Sequence, residues 1–115
     1  MYEELLREMG LSPNEAQVYE ALLQTGEASV QTISNKSKVH RRNVYDSLAK
    51  LIEKGLASEV FIKCEKHFKA INPSKLLDLL KEKEEKLNKV LPEMQKKYEF
   101  TEEKEEAYLI SLLFL

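Results

Sequence analysis

The stretch VHRRNVYDSLAKLIEKGL, residues 39–56, decides the fold. Within it Val44, Leu48, Leu51 and Ile52 recur at i, i+4, i+7 and i+8, which places them on one face of an α-helix, and Gly55 supplies the stop. Arg41, Arg42, Asn43, Asp46, Ser47 and Lys50 fall off that stripe and are expected to face outward. Two arginines at the mouth of a helix oppose its dipole, which favours anions there; an external phosphate would provide the missing charge. Upstream, Ser29 is placed to cap a short helix that turns Val30 and Ile33 inward and runs out in SNKSK, residues 34–38. Two short helices across a tight polar turn, the second opening on basic side chains, form the helix-turn-helix pattern.

Downstream of Gly55 the apolar period shortens to two. LASEVFI (56–62) sets Leu56, Val60 and Ile62 on one side, and HFKAI (67–71) sets Phe68 and Ala70 opposite His67, Lys69 and Ile71. With only residues 63–66 between them, the two runs predict a β-hairpin, and a hairpin directly after a helix-turn-helix is a wing. Toward the N-terminus, Leu5, Leu6 and Met9 share helical spacing before Gly10. SPNE (12–15) then opens a helix with Ser12 as cap, Pro13 in the first turn and Glu15 closing a capping box, with Val18, Tyr19, Leu22 and Leu23 as its apolar face.

Asn72-Pro73 starts a long helix whose seam is Leu80, Leu87, Leu91, Met94 and Tyr98. Pro92 is expected to kink or split it, and Thr101 to cap a last segment carrying Tyr108, Leu112 and Leu115. The expected fold class is mainly α with a small β-hairpin. A winged helix-turn-helix over residues 1–72 is followed by a long C-terminal dimerisation helix within 73–115.

The net charge of the 115 residues is −2, but the charge is segregated: residues 1–28 sum to −5, residues 29–69 to +5 and residues 70–115 to −2. A basic middle in an acidic chain suits a polyanion on one face. A single cysteine, Cys64, excludes an intrachain disulfide framework and fits a reducing compartment. The first ten residues lack the basic and apolar regions of a signal peptide, and the apolar run 107–115 is far shorter than the ~20 residues that cross a bilayer. No Gly-rich phosphate loop and no nucleophile–base–acid set stands out, so an enzyme is not expected. His40, Cys64 and His67 lack the spacing of a zinc site, and neither a metal nor another cofactor is expected.

Three segments together, LSPNEAQVYEALLQTGEASVQTIS (11–34), VHRRNVYDSLAKLIEKGLASEV (39–60) and KHFKAINPSKLLDLL (66–80), resemble the N-terminal winged-helix domain of the TrmB family. These are archaeal transcriptional regulators, often sugar-sensing. Family members usually carry a glycine before the recognition helix, where this chain has Lys38, and a Gly-Arg-Pro-like wing tip, where it has Cys64-Glu65-Lys66. Arg41 matches a family arginine position, whereas Asn43 stands where an arginine is often found. Larger members add a C-terminal effector-binding domain. This chain resembles the short, DNA-binding-only members, so no small-molecule effector is expected within it.

These readings converge on a homodimeric, sequence-specific regulator that binds double-stranded DNA, cytoplasmic and nucleoid-associated, with no membrane role. His40, Arg41, Arg42, Asn43, Tyr45, Ser47 and Lys50 are the candidates for the major groove, where arginine reads guanine O6 and N7. Gln31, Lys63, Lys66 and Lys69 are candidates for the DNA backbone. His67 is expected to pair across the hairpin, and Leu80, Leu87, Leu91, Met94, Tyr98 and Leu112 to pack on a second copy. The alternative is a winged-helix adaptor that docks on protein, which would have no use for a basic helix mouth.

Overall fold

The computed structural model describes residues 1–114 and orders them as α1 (Glu3–Glu8), α2 (Pro13–Thr25), α3 (Val30–Ser37), α4 (Arg41–Glu53), β1 (Ala57–Ile62), β2 (Glu65–Ala70) and α5 (Lys75–Leu113). Leu115, grouped above with Tyr108 and Leu112, lies outside the described residues. The chain forms two compact units, Met1–Leu80 and Lys81–Leu115. The first is a winged helix: a helix-turn-helix closed by a hairpin.

Local chemistry starts the helices where the sequence predicts. At α2 the Ser12 hydroxyl accepts the Glu15 N–H at 3.2 Å, and the Glu15 carboxylate accepts the Ser12 N–H at 3.2 Å, a complete capping box. Ser29 caps α3 by accepting the Thr32 N–H at 3.3 Å. Val18, Tyr19 and Leu22 from α2 meet Ile33 from α3, Val44, Leu48 and Leu51 from α4, and Leu56 in one core, each at most 1% exposed. Leu23, expected on the apolar face of α2, is 37% exposed, and Leu5 of α1 is 57% exposed, because each sits at the edge of an inner face centred on Val18–Leu22 and on Leu6 respectively.

Between α3 and α4 the chain must reverse within a few residues. Lys38 does this by adopting the left-handed conformation, φ 61° and ψ 24°, as the C-cap of α3. An L side chain there costs roughly 1 kcal/mol relative to glycine. Lys38→Gly is therefore expected to stabilise the fold by about 0.5–1 kcal/mol in urea denaturation; destabilisation would mean that the lysine side chain makes a compensating contact. Gly55 does the same for α4 at φ 78°, and there a Cβ would come within 3.0 Å of the Lys75 side chain.

The hairpin pairs Ala57 with Ala70 through to Ile62 with Glu65. The turn is therefore only Lys63-Cys64, shorter than the sequence suggests, with φ 52° and 65°, the sign pattern of a type I′ turn. Phe68, 3% exposed, anchors the wing, and its backbone exchanges hydrogen bonds of 2.8 and 2.9 Å with Ala28, which adds a short third lane to β2.

Asn72 opens the last helix as expected, its side-chain oxygen accepting the Ser74 N–H at 2.9 Å, although regular helix begins at Lys75. Leu76 and Leu79 pack on the winged-helix core, so residues 73–80 belong with the first unit, beyond the expected boundary at 72. Of the two outcomes expected at Pro92, a kink or a split, the split does not occur, since Pro92 lies inside one helix; Thr101 caps nothing, since its hydroxyl donates to the Lys97 carbonyl at 3.0 Å. Glu, Lys, Leu, Met and Gln on both sides of Pro92 are strong helix formers, which carries the helix through the one missing N–H.

Candidate nucleic-acid interface

The mouth of α4 is built from its own cap. His40, with extended backbone, accepts the Arg42 N–H on Nδ1 at 3.3 Å, so it starts the helix rather than merely decorating it. From that start the helical turn sends Val44, Leu48 and Leu51 into the core and leaves Arg41, Arg42, Asn43, Tyr45, Asp46 and Lys50 exposed. Ser47 is a correction. It is 4% exposed, being three residues after Val44 and four before Leu51 on the same inner face, and is removed from the groove candidates.

Arg41 has a side-chain partner on α3. Its Nη1 donates to Gln31 Oε1 at 2.9 Å, and Gln31 Nε2 donates in turn to Asn35 Oδ1 at 3.1 Å. This relay ties the first residue of α4 to the outer face of α3. The turn between the helices is fixed independently: the Ser34 hydroxyl donates to the Val39 carbonyl at 2.7 Å, and the Val39 N–H donates to the Ser37 hydroxyl at 3.2 Å.

A cleft of about 360 Å³ opens between these helices and the wing, lined by Ser29, Gln31, Arg41, Tyr45, Glu65 and Lys66 among others. The structure thus brings together Gln31, Arg41, Tyr45 and Lys66. Strand alternation separates two other candidates: Lys66 and Lys69 are three apart on β2, hence on opposite faces of the hairpin. Lys66 also approaches Glu59 at 3.8 Å, and Lys63 stands at the exposed tip. His67 does not pair across the hairpin, where its neighbour is Val60. Its Nδ1 lies 3.2 Å from Glu27 and its Nε2 3.4 Å from Glu65, so it joins the wing to the loop before α3.

Sequence reasoning missed Asn35 and Glu65. Asn35 was legible, since it follows Gln31 by four residues on one helix face; Glu65 depended on the turn being two residues long. Among the described residues no three His, Cys, Asp or Glu side chains gather as a metal site, and no helix is long and apolar enough to cross a membrane.

The profile of the TrmB family, described as the sugar-specific transcriptional regulator TrmB, matches residues 6–74. No curated protein gave a significant match. Among solved structures, the archaeal chromatin protein TrmBL2, described as showing a novel mode of DNA binding, is similar at 28% identity and a TM-score of 0.71, over 84% of this chain and 37% of that one. This chain therefore corresponds to little more than a third of that relative. A possible transcriptional regulator from Methanosarcina mazei shares 16% identity at a TM-score of 0.59, over 77% of this chain and 83% of that one. A MarR family transcriptional regulator from Silicibacter pomeroyi shares 15% at 0.56, over 82% and 58% respectively; these two likenesses establish the fold alone. With the family profile matching residues 6–74, more than half of the chain, the chain belongs to the TrmB family of transcriptional regulators.

Proposed function

We propose that this regulator binds duplex DNA sequence-specifically as a homodimer, laying the mouth of α4 in the major groove. The observation that carries the reading is Arg41 held by Gln31 at 2.9 Å, at the exposed start of the helix. An arginine fixed there reaches a guanine edge with less side-chain entropy to lose than a free one. Arg42 and Asn43 flank it, with Tyr45 and Lys50 further along the helix, and Lys66 and the tip residue Lys63 approach phosphates from the wing side. His40 serves as cap, and Lys69, on the other hairpin face, takes no part unless the DNA wraps the wing. Residues 73–115 carry the dimer contacts through Leu80, Leu87, Leu91, Met94, Tyr98 and Leu112, each 43–59% exposed in the single chain. A nucleoid location follows from this reading.

The test is fluorescence anisotropy with random-sequence duplex DNA across a salt series, comparing the native protein, Arg41→Ala/Arg42→Ala and Ser47→Ala. Log affinity should fall linearly with log salt, and the double variant, which removes two arginines from each protomer, should lose up to about four units of that slope and roughly 10- to 100-fold in affinity at 0.1 M salt. Ser47→Ala, at a buried position, should bind as the native protein does. Absence of binding at low salt by a folded protein would overturn the reading and leave the protein-docking adaptor in its place.

A further inference from the structure

The long helix carries two rows at a seven-residue stride that are apolar at eight of their eleven positions. Leu80, Leu87, Met94, Thr101 and Tyr108 form one; Leu77, Glu84, Leu91, Tyr98, Glu105 and Leu112 form the other. All lie within α5, and among the described residues none of α5 is buried. Two rows at a strict seven-residue stride are the a and d positions of a coiled coil, a geometry that needs a second helix.

We propose that α5 pairs with the α5 of a second copy in antiparallel orientation, with the two-fold axis passing between Pro92 and Glu93. The proposal rests on the dimer reading above and adds its direction and register. In a parallel pair each residue of the rows meets itself, so Glu84 would face Glu84 and Glu105 would face Glu105, two like-charge layers inside the seam. An antiparallel pair matches a to d instead. Centred between Pro92 and Glu93, it sets Leu91 against the partner's Met94 and Leu87 against the partner's Tyr98, which gives four contiguous apolar layers about the axis. Outside them Glu84 meets the partner's Thr101 and Leu80 meets the partner's Glu105, so neither acidic layer meets its like. Sliding the register by one heptad either way breaks the central block: Leu87 then faces the partner's Glu105, or Glu84 faces the partner's Met94. Pro92 falls on the outer side of the pair, where its missing N–H does not disturb the seam.

The register has a consequence for DNA. Leu80, the last residue of the winged-helix unit, comes level with the partner's Glu105, which places the two attachment points about 37 Å apart along the pair. That is close to the roughly 34–36 Å between successive major-groove half-sites on one face of the duplex. A parallel pair would put both attachment points at one level.

Spin labels on the outer face test this without touching the seam. Single cysteines replace Glu82 or Lys96 in a Cys64→Ser background, both at exposed positions, and intra-dimer distances are read by pulsed dipolar spectroscopy. Antiparallel pairing offsets the two Glu82 labels by about 32 Å along the axis but the two Lys96 labels by only about 10 Å, so the Glu82 distance should exceed the Lys96 distance by roughly 10 Å. Equal distances at the two sites would overturn the antiparallel register while leaving the dimer. No dipolar coupling at either site, with a monomer in sedimentation, would overturn the dimer reading itself.

Discussion

Leu51→Ala is expected to cost the winged helix about 3–4 kcal/mol, seen as a fall in Tm of roughly 15–20 °C. Leu51 is 0% exposed and comes from the inner face of α4, where it meets the α2 side chains that the capping box has aligned. Removing three carbons there forfeits their transfer from water and leaves a hollow that rigid neighbours such as Leu22 and Leu48 cannot refill. Because domains of this size are stable by only about 5–15 kcal/mol, the loss takes a large share of the total. The recognition surface rides on that seat, so DNA affinity should fall only to the extent that the protein unfolds. A cost below about 1 kcal/mol in thermal melts would show that α4 sits in a different rotation about its axis.

Lys54→Ala should have the next largest effect, about 2–3 kcal/mol at pH 7, and one that depends on pH. Glu15 is buried with its carboxylate 2.6 Å from Lys54 Nζ, and the same ammonium donates to the Gly10 carbonyl at 3.3 Å. Burial acts to raise the Glu15 carboxyl, but the hydrogen bonds from Lys54 and from the Ser12 hydroxyl and N–H, with the lysine's charge, outweigh it and hold the carboxyl below its ordinary value of 4.5. A carboxyl lowered by folding adds stability that is fully present above 4.5 and is lost as pH falls through the lower folded value. Without Lys54 the burial cost stands against the capping bonds alone. The variant's deficit should therefore be complete at neutral pH and shrink as pH drops below 4.5, where a protonated Glu15 no longer needs a cation. Lys54 is one-third exposed, which is why the figure lies below that for a fully buried pair. A deficit that stays constant from pH 7 to pH 3 would mean that Lys54 acts through packing of its stem.

Most of the fold was legible because the signals that set it act over a turn or two of chain. Ser12 with Glu15, Ser29 with Thr32 and Asn72 with Ser74 are caps spanning two or three residues, and Val44, Leu48 and Leu51 repeat at the helical period. The change of period after Gly55 marked the hairpin. Ser47 misled because a hydroxyl counts as polar in any pattern, whereas its position between Val44 and Leu51 places it inside. Thr101 misled in the opposite way, as did Pro92 in so far as it predicted a split: each is a local stop signal, overridden by strong helix formers on both sides.

The sequence by itself determined the order of elements through the hairpin, the caps at Ser12, Ser29 and Asn72, the winged-helix class, the family and the basic mouth of α4, all of which follow from neighbours in the chain. Only the tertiary structure decided which distant groups meet. Glu15 finds Lys54 across 39 residues, Arg41 finds Gln31 across 10, and His67 finds Glu27 across 40. Ala28 joins Phe68, and Lys66 parts from Lys69 to the other face of the wing. Such pairings depend on how helices pack and strands register, and those are set by the whole core at once rather than by any short stretch of sequence.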